Sequence, residues 1–237
     1  MIEKSPILIT GAARSGTSLI SGSVHLCGAF GGVMRRPNQN NSKGMFENAR
    51  IVESITKPYL RSIGMDPLGQ YPLPKIEGLP IPSDWRKKVE AVMLEEGYKG
   101  GPWFYKGAKM CLTWPIWHYA FPKSRWIIVR RRTGDIASSC CNTGFMRAFS
   151  NPRVQREVGV NNERDGWIWW VNKHLERFRE MQDNGLDIKI IWPERMVDGD
   201  FSQIMELIDW LRLKWNDDVY SFVSPKLWNS KLRKYCV

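Results

Sequence analysis

Four short apolar runs punctuate the chain, and the rhythm of hydrophobic positions changes after each one. Ile7-Leu8-Ile9-Thr10 carries no charge and ends at Gly11. Trp103-Phe104-Tyr105-Lys106, Trp126-Ile127-Ile128-Val129 and Ile188-Lys189-Ile190-Ile191-Trp192 have the same character. Runs of four or five β-prone residues with little polar alternation read as strands covered on both faces, as in a parallel sheet. Between the runs the apolar spacing shifts to three and four. Ile20, Val24 and Cys27 predict a helix after Gly16. Ile51, Val52, Ile55 and Tyr59 predict another from Glu47, which Pro58 should kink or end. Ser83 reads as the cap of a helix with Trp85, Val89, Val92 and Met93 on its apolar face. A further helix follows Asp135, through Ile136 to Cys140.

Later in the chain, Trp167, Trp170, Val171, Leu175, Phe178 and Met181 predict a long helix. Asn161 or Asn162 would cap it and Gly185 would stop it. Asp200 and Gln203 have capping-box-like spacing ahead of Ile204, Leu207, Ile208 and Leu211. Residues 64–82 are rich in proline and glycine and read as an extended connection. Strands alternating with helices predict an α/β fold of three layers, with a central, mostly parallel sheet flanked by helices. No linker, repeat or low-complexity tract interrupts the pattern, so residues 1–237 read as one domain.

The first strand and helix meet in Gly11-Ala12-Ala13-Arg14-Ser15-Gly16-Thr17-Ser18. A strand, a glycine loop and a helix N-terminus in that order make an anion site. The first helical amides lack intrahelical partners, and the helix dipole favours negative charge there. Arg14 adds a cation; Ser15, Thr17 and Ser18 add hydroxyls. The spacing from Gly11 to Gly16 makes the fold P-loop-like, but Thr17 stands where a nucleotide triphosphatase has lysine. A ligand with less phosphate at this loop therefore fits better than ATP.

Charge sharpens this picture. The net charge is +11, with a block at Arg130-Arg131-Arg132 and a basic tail containing Lys226, Lys231, Arg233 and Lys234. A basic chain attracts nucleic acids, anionic membranes or anionic small ligands. No apolar run approaches the roughly 20 residues of a membrane span. The segment Met1 to Pro6 does not read as a signal peptide. Five cysteines with no Cys-x-x-Cys spacing predict free thiols, no zinc and a reducing cytoplasm. No carboxylate cluster for a metal is evident. Most of the twelve tryptophans sit among apolar neighbours and are expected in the core.

The loop Gly11 to Leu19 resembles the 5′-phosphosulfate loop of sulfotransferases that use 3′-phosphoadenosine 5′-phosphosulfate (PAPS). Ile127 to Ser139 is similar to the 3′-phosphate motif of that family: a strand, an arginine, an aspartate four later and a serine four beyond. In that register Arg131 and Ser139 bind the 3′-phosphate; Arg130 and Ser138 have the same spacing. Lys106-Gly107-Ala108-Lys109 looks like the Lys-Asp-Pro-Arg region of bacterial-type members, with Gly107 for the aspartate and Lys109 for the arginine. Trp192-Pro193-Glu194 resembles their Tyr-Glu-Asp-Leu turn. The matches are dispersed from residue 7 to about 211.

The resemblance implies a PAPS-dependent enzyme that releases 3′-phosphoadenosine 5′-phosphate (PAP) and needs no metal. Arg14 would stabilise the leaving phosphate. Ser15, Gly16, Thr17 and Ser18 would hold the 5′-phosphate, and Arg131 with Ser139, or Arg130 with Ser138, the 3′-phosphate. The histidine of the Lys-Thr-His segment of cytosolic members is absent. Lys43-Gly44-Met45-Phe46-Glu47 looks like the Lys-Gly-Phe-Phe-Glu element that supplies a base elsewhere in the family, so Glu47 is the candidate base and His118 its alternative. His25 and His174 are expected to have no catalytic role. The acceptor is expected to be a small molecule, glycan or peptide, shaped by residues 33–46, 64–82 and 144–162. A kinase with a degenerate P-loop and a basic nucleic-acid-binding protein are the competing readings. No zinc, RNP or helix-turn-helix signature supports the second.

Overall fold

The computed structural model describes residues 5–38 and 41–228. Lys231, Arg233 and Lys234 of the basic tail lie outside the described residues. Four strands form one sheet: β1 (Ile7–Thr10), β2 (Phe104–Lys106), β3 (Arg125–Val129) and β4 (Asp187–Ile191). Their order is β2-β1-β3-β4 and all pairs are parallel. The apolar runs mark each strand to within a residue, because parallel strands under helices must be apolar on both faces.

The register sorts the side chains into two layers. Leu8 lies beside Tyr105 and Trp126, and Ile9 beside Lys106 and Ile127. Leu8, Tyr105, Trp126 and Ile128 pack on one face. There they meet α2 (Lys57–Ser62), α3 (Trp85–Glu95), α4 (Trp114–Ala120) and part of α7 (Glu163–Asp183). Trp117 stacks on Tyr105 with ring centroids 4.7 Å apart, and Trp85 meets Trp117 edge-on at 5.4 Å. Such pairs add about 0.5–1.5 kcal/mol beyond burial.

Ile7, Ile9, Ile127 and Val129 face the other way. They meet α1 (Thr17–Leu26), α8 (Pro193–Val197), α9 (Ser202–Trp210) and α10 (Asp218–Phe222). A third cluster joins α5 (Thr133–Cys141) to α7 around Phe149, Trp167 and Trp170, next to α6 (Pro152–Glu157). Seven tryptophans (Trp85, Trp103, Trp114, Trp117, Trp126, Trp167 and Trp170) are buried.

Several local expectations need correction. The helical run through residues 49–62 does not end at Pro58. A π-helical segment, Ile51–Thr56, precedes it, and α2 continues through the proline. Wider turns shift the carbonyls that a proline ring would otherwise strike. Asp84, not Ser83, precedes α3, and no side chain caps it. Gln203 does not close a capping box; its Oε1 accepts from the Trp192 amide at 2.9 Å and seats the turn after β4. Asn162 does cap α7, accepting from the Asp165 amide at 2.9 Å. Gly185 follows that helix at φ 72. The short helices α6 and α10 carry too few turns to show a period. Cys27, Cys111, Cys140 and Cys141 are free thiols.

One buried titratable group sits in α7. His174 is 1 % exposed, and its Nδ1–H donates to the Trp170 carbonyl at 2.8 Å. Burial pulls its pKa from 6.5 down to about 4, against the pull of that carbonyl. The unfolded chain takes up this proton near pH 6.5, while the folded chain resists to about pH 4. The stability contributed is complete above pH 6.5 and is lost as pH falls through that window, roughly 3 kcal/mol in all. Melting temperature against pH should therefore fall more steeply between 6.5 and 4 for the native chain than for His174→Gln. Parallel curves would mean another group carries the acid sensitivity.

Candidate functional site

The carboxyl ends of β1, β2 and β3 converge where open parallel sheets bind ligands. The Thr10 hydroxyl donates to the Gly107 carbonyl at 3.0 Å and accepts from the Cys111 amide at 3.2 Å, tying the exits of β1 and β2. A Cβ on Gly11 would lie 2.6 Å from the Val129 carbonyl, so the loop crosses closely over the end of β3. Arg14 (φ 72) and Gly16 (φ 93) are both left-handed and flank Ser15. Gly16 is doubly required: a Cβ there would also lie 2.9 Å from Pro193 and from Trp228. Left-handed residues at a helix start turn backbone amides toward one concave side, a nest for an anion. Thr17 and Ser18 open α1 with amides that have no intrahelical acceptor.

Arg14 is the junction of the site. Its Nε donates to Ser139 Oγ at 3.0 Å, and its carbonyl accepts from Arg131 Nη1 at 2.8 Å. Arg131, 8 % exposed, lies over the Trp228 ring at 4.4 Å. Burial lowers the pKa of both arginines; at Arg131 the charges of Glu194 and Asp135 oppose it. A guanidinium stays protonated under any such shift. Arg14, Arg131, Ser138, Ser139, Asn142 and Thr143 line a recess of about 110 Å³, together with the carboxylate residue Asp135. Arg130 turns away to the Trp192 ring at 5.4 Å and lines neither this recess nor the larger cavity beside it. Ser138 spends its hydroxyl on the Gly134 carbonyl. Of the two sequence registers, Arg131 and Ser139 meet Arg14.

The larger cavity holds about 430 Å³, the size of a small-molecule site. Arg14, Gly16, Thr17 and Ser18 form one end. Glu47 forms part of the wall and is 7 % exposed. Lys106 Nζ donates to Glu47 Oε1 at 3.0 Å and to the Met45 carbonyl at 3.1 Å. Burial pushes the Glu47 carboxyl up, but Lys106, Lys109 and Arg35 together outweigh it and leave the pKa below the usual value. Glu47 is therefore ionised and able to accept a proton. His118 lies on α4, with its ring 6.4 Å from Trp114, and does not line the cavity.

Sequence reasoning missed part of this wall. Seven cationic side chains line the cavity: Arg14, Arg35, Lys43, Lys57, Lys106, Lys109 and Arg131. Glu47 is the single carboxylate among the lining residues. Lys106 was legible as a charge closing an otherwise apolar strand and, with Lys109, in the stretch that looks like Lys-Asp-Pro-Arg; that both face the cavity was not. His174 also lines the cavity, as does Trp228. Glu194 faces Arg131; both its carboxylate oxygens are buried without a hydrogen-bond partner among the described residues, and burial raises its pKa. The sequence places it in a turn resembling Tyr-Glu-Asp-Leu and assigns it no role. All three loop regions expected around an acceptor contribute lining residues, among them Arg35, Lys43 and Phe46, Leu68 and Gly69, and Phe145 and Met146. Among the described residues no three His, Cys, Asp or Glu side chains form a metal-binding group.

In sequence the chain matches no protein-family profile and no curated protein. In structure it is similar to the sulfotransferase domain from the Synechococcus PCC 7002 olefin synthase, with a TM-score of 0.55 and 12% identity. That alignment covers 99% of this chain and 91% of the other. The sulfotransferase domain from the curacin biosynthetic pathway aligns at a TM-score of 0.53 and 14% identity, over 98% of this chain and 82% of that one. The four-stranded parallel sheet between helical layers is thus the sulfotransferase fold.

Proposed function

We propose that this chain, acting as one domain, moves a sulfuryl group from PAPS to a hydroxyl or amine on a small acceptor, glycan or peptide. The observation that carries this reading is a pair of anion sites joined through one residue. The nest at the head of α1 and the Arg131–Ser139 recess share Arg14, which bonds Ser139 directly. Two separated phosphates on one nucleoside match two separated sites. A linear triphosphate would instead need a lysine at Thr17.

The residues fit the group. Ser15 Oγ is buried with no hydrogen-bond partner among the described residues, at the loop assigned to the 5′-phosphate. PAPS bound there would supply an activated sulfuryl group and a phosphate leaving group. Arg14 and the first amides of α1 counter the charge that develops at the loop. Arg131 and Ser139 fix the 3′-phosphate and so the orientation of the donor. Glu47, held ionised, accepts the acceptor proton, and Lys106 fixes the carboxylate in place.

The cations concentrate in a cavity of small-molecule size, which favours a small anionic ligand over nucleic acid. No helix among the described residues is long and apolar enough to cross a membrane. The free thiols favour a reducing cytoplasm.

Replacing Arg131 by alanine should weaken PAP binding about tenfold or more, the scale of a lost charge-assisted hydrogen bond. Adenosine 5′-phosphate should lose little. Titration calorimetry with both ligands decides; equal losses would move the 3′-phosphate site elsewhere. Glu47→Gln should lower turnover about 10²- to 10⁴-fold, the range of general-base catalysis. Its PAP affinity should stay within about twofold of native, since Glu47 lies outside both phosphate sites. Unchanged turnover, with the fold verified by melting, would assign the proton to another group.

A further inference from the structure

Beyond Arg14 and Arg131, most cations of the cavity wall have protein partners. Lys106 pairs with Glu47 at 3.0 Å. Arg35 and Lys57 share Glu53. Lys43 donates to the Phe222 carbonyl. Lys109 differs: its ammonium makes no hydrogen bond and no ion pair among the described residues. Its stem packs on the 66–69 turn, where a Cβ on Gly69 would lie 2.7 Å from Lys109 Cγ. That turn is itself fixed, because the Gly69 carbonyl accepts the Trp170 indole N–H at 2.9 Å.

Lys109 therefore holds its head at the cavity wall with no protein anion in hydrogen-bond or ion-pair contact among the described residues. Burial, with Lys106, Arg35 and Lys57, lowers its pKa, and Glu47 alone opposes this. Glu47, the one carboxylate whose charge reaches this half-buried ammonium among the described residues, already bonds Lys106, so a ligand anion at Lys109 would be bound favourably. The neighbouring wall is apolar, made by Leu68, Phe145, Met146 and Trp170. Low-dielectric walls strengthen the field of the cations they surround.

We propose that the acceptor is an amphipathic anion. Its apolar body packs on Leu68, Phe145 and Met146, and its carboxylate, phosphate or sulfate group pairs with Lys109. This rests on reading the same cavity as a sulfotransferase site. Lys109 selects the acceptor and leaves proton transfer to Glu47.

The test is calorimetric titration of the full chain, saturated with PAP and held at fixed ionic strength. The probes are phenylacetate, phenyl phosphate and phenyl sulfate, with neutral phenylacetamide as the control. At least one anion should bind about tenfold more tightly than the amide, as expected for one charge-assisted contact. The three anions separate the carboxylate, phosphate and sulfate cases. Lys109→Met should remove the preference and leave PAP affinity within about twofold; Lys109→Gln serves if the methionine variant does not fold. No preference in the native chain, or one that survives loss of the lysine, overturns the proposal. The PAP titration reports on the donor separately. A chain that binds no PAP yet keeps a Lys109-dependent anion preference would reject the donor reading and uphold this pocket.

Discussion

The structure turns on how Arg14 is held. Two segments far apart in sequence meet at this residue: the loop after β1, and the stretch that leaves β3 and runs to the last turn of α5. Its carbonyl accepts from Arg131 and its guanidinium donates to Ser139, at 2.8 and 3.0 Å. Those bonds keep a non-glycine residue at φ 72, where an L-residue is strained unless its surroundings over-determine it. They also fix the distance between the helix nest and the 110 Å³ recess. If either bond were lost, the two anion sites would become independent, and a ligand carrying both charges would no longer be read as a unit.

The parallel sheet makes this junction possible. Ile7 to Thr10 runs between β2 and β3, so every strand end arrives on one side. Buried apolar side chains on both faces hold the ends still beneath the loops that carry the polar groups. The cost falls on the cavity, where seven cations share a low-dielectric space with one carboxylate. Glu47 against Lys106, Glu53 against Arg35 and Lys57, and aromatic faces under Arg131 and Lys43 offset much of it. What remains is the positive field that makes the site select anions.

The sheet and the glycine loop from Gly11 to Ser18 were legible in the sequence because each rests on local spacing, whereas spacing left Arg131–Ser139 and Arg130–Ser138 equal and only the contacts of Arg14 separate them. Strand burial leaves an unbroken apolar run, and a helix N-terminus after glycine leaves its own signature. Pro58 misled because a π-helical turn changes which carbonyl its ring meets. Gln203 misled because its side chain found a tertiary partner, the Trp192 amide, in place of its own helix start. The packing of His174 at the cavity and of Glu194 against Arg131 joins segments distant in the chain. No periodicity in the sequence encodes that convergence. His118 illustrates the converse, a residue near the right segment that does not line the cavity.

The central claim is that one ligand with separated 5′ and 3′ phosphates spans both anion sites. Thermal melting with PAP, adenosine 5′-phosphate and ATP with magnesium tests it most directly. PAP at about 100 times its dissociation constant should add about 2.7 kcal/mol, roughly 5–10 °C for a chain of this size. Adenosine 5′-phosphate and ATP should shift the melt far less at the same concentration. No shift with PAP, or an equal shift with ATP and magnesium, would contradict the account.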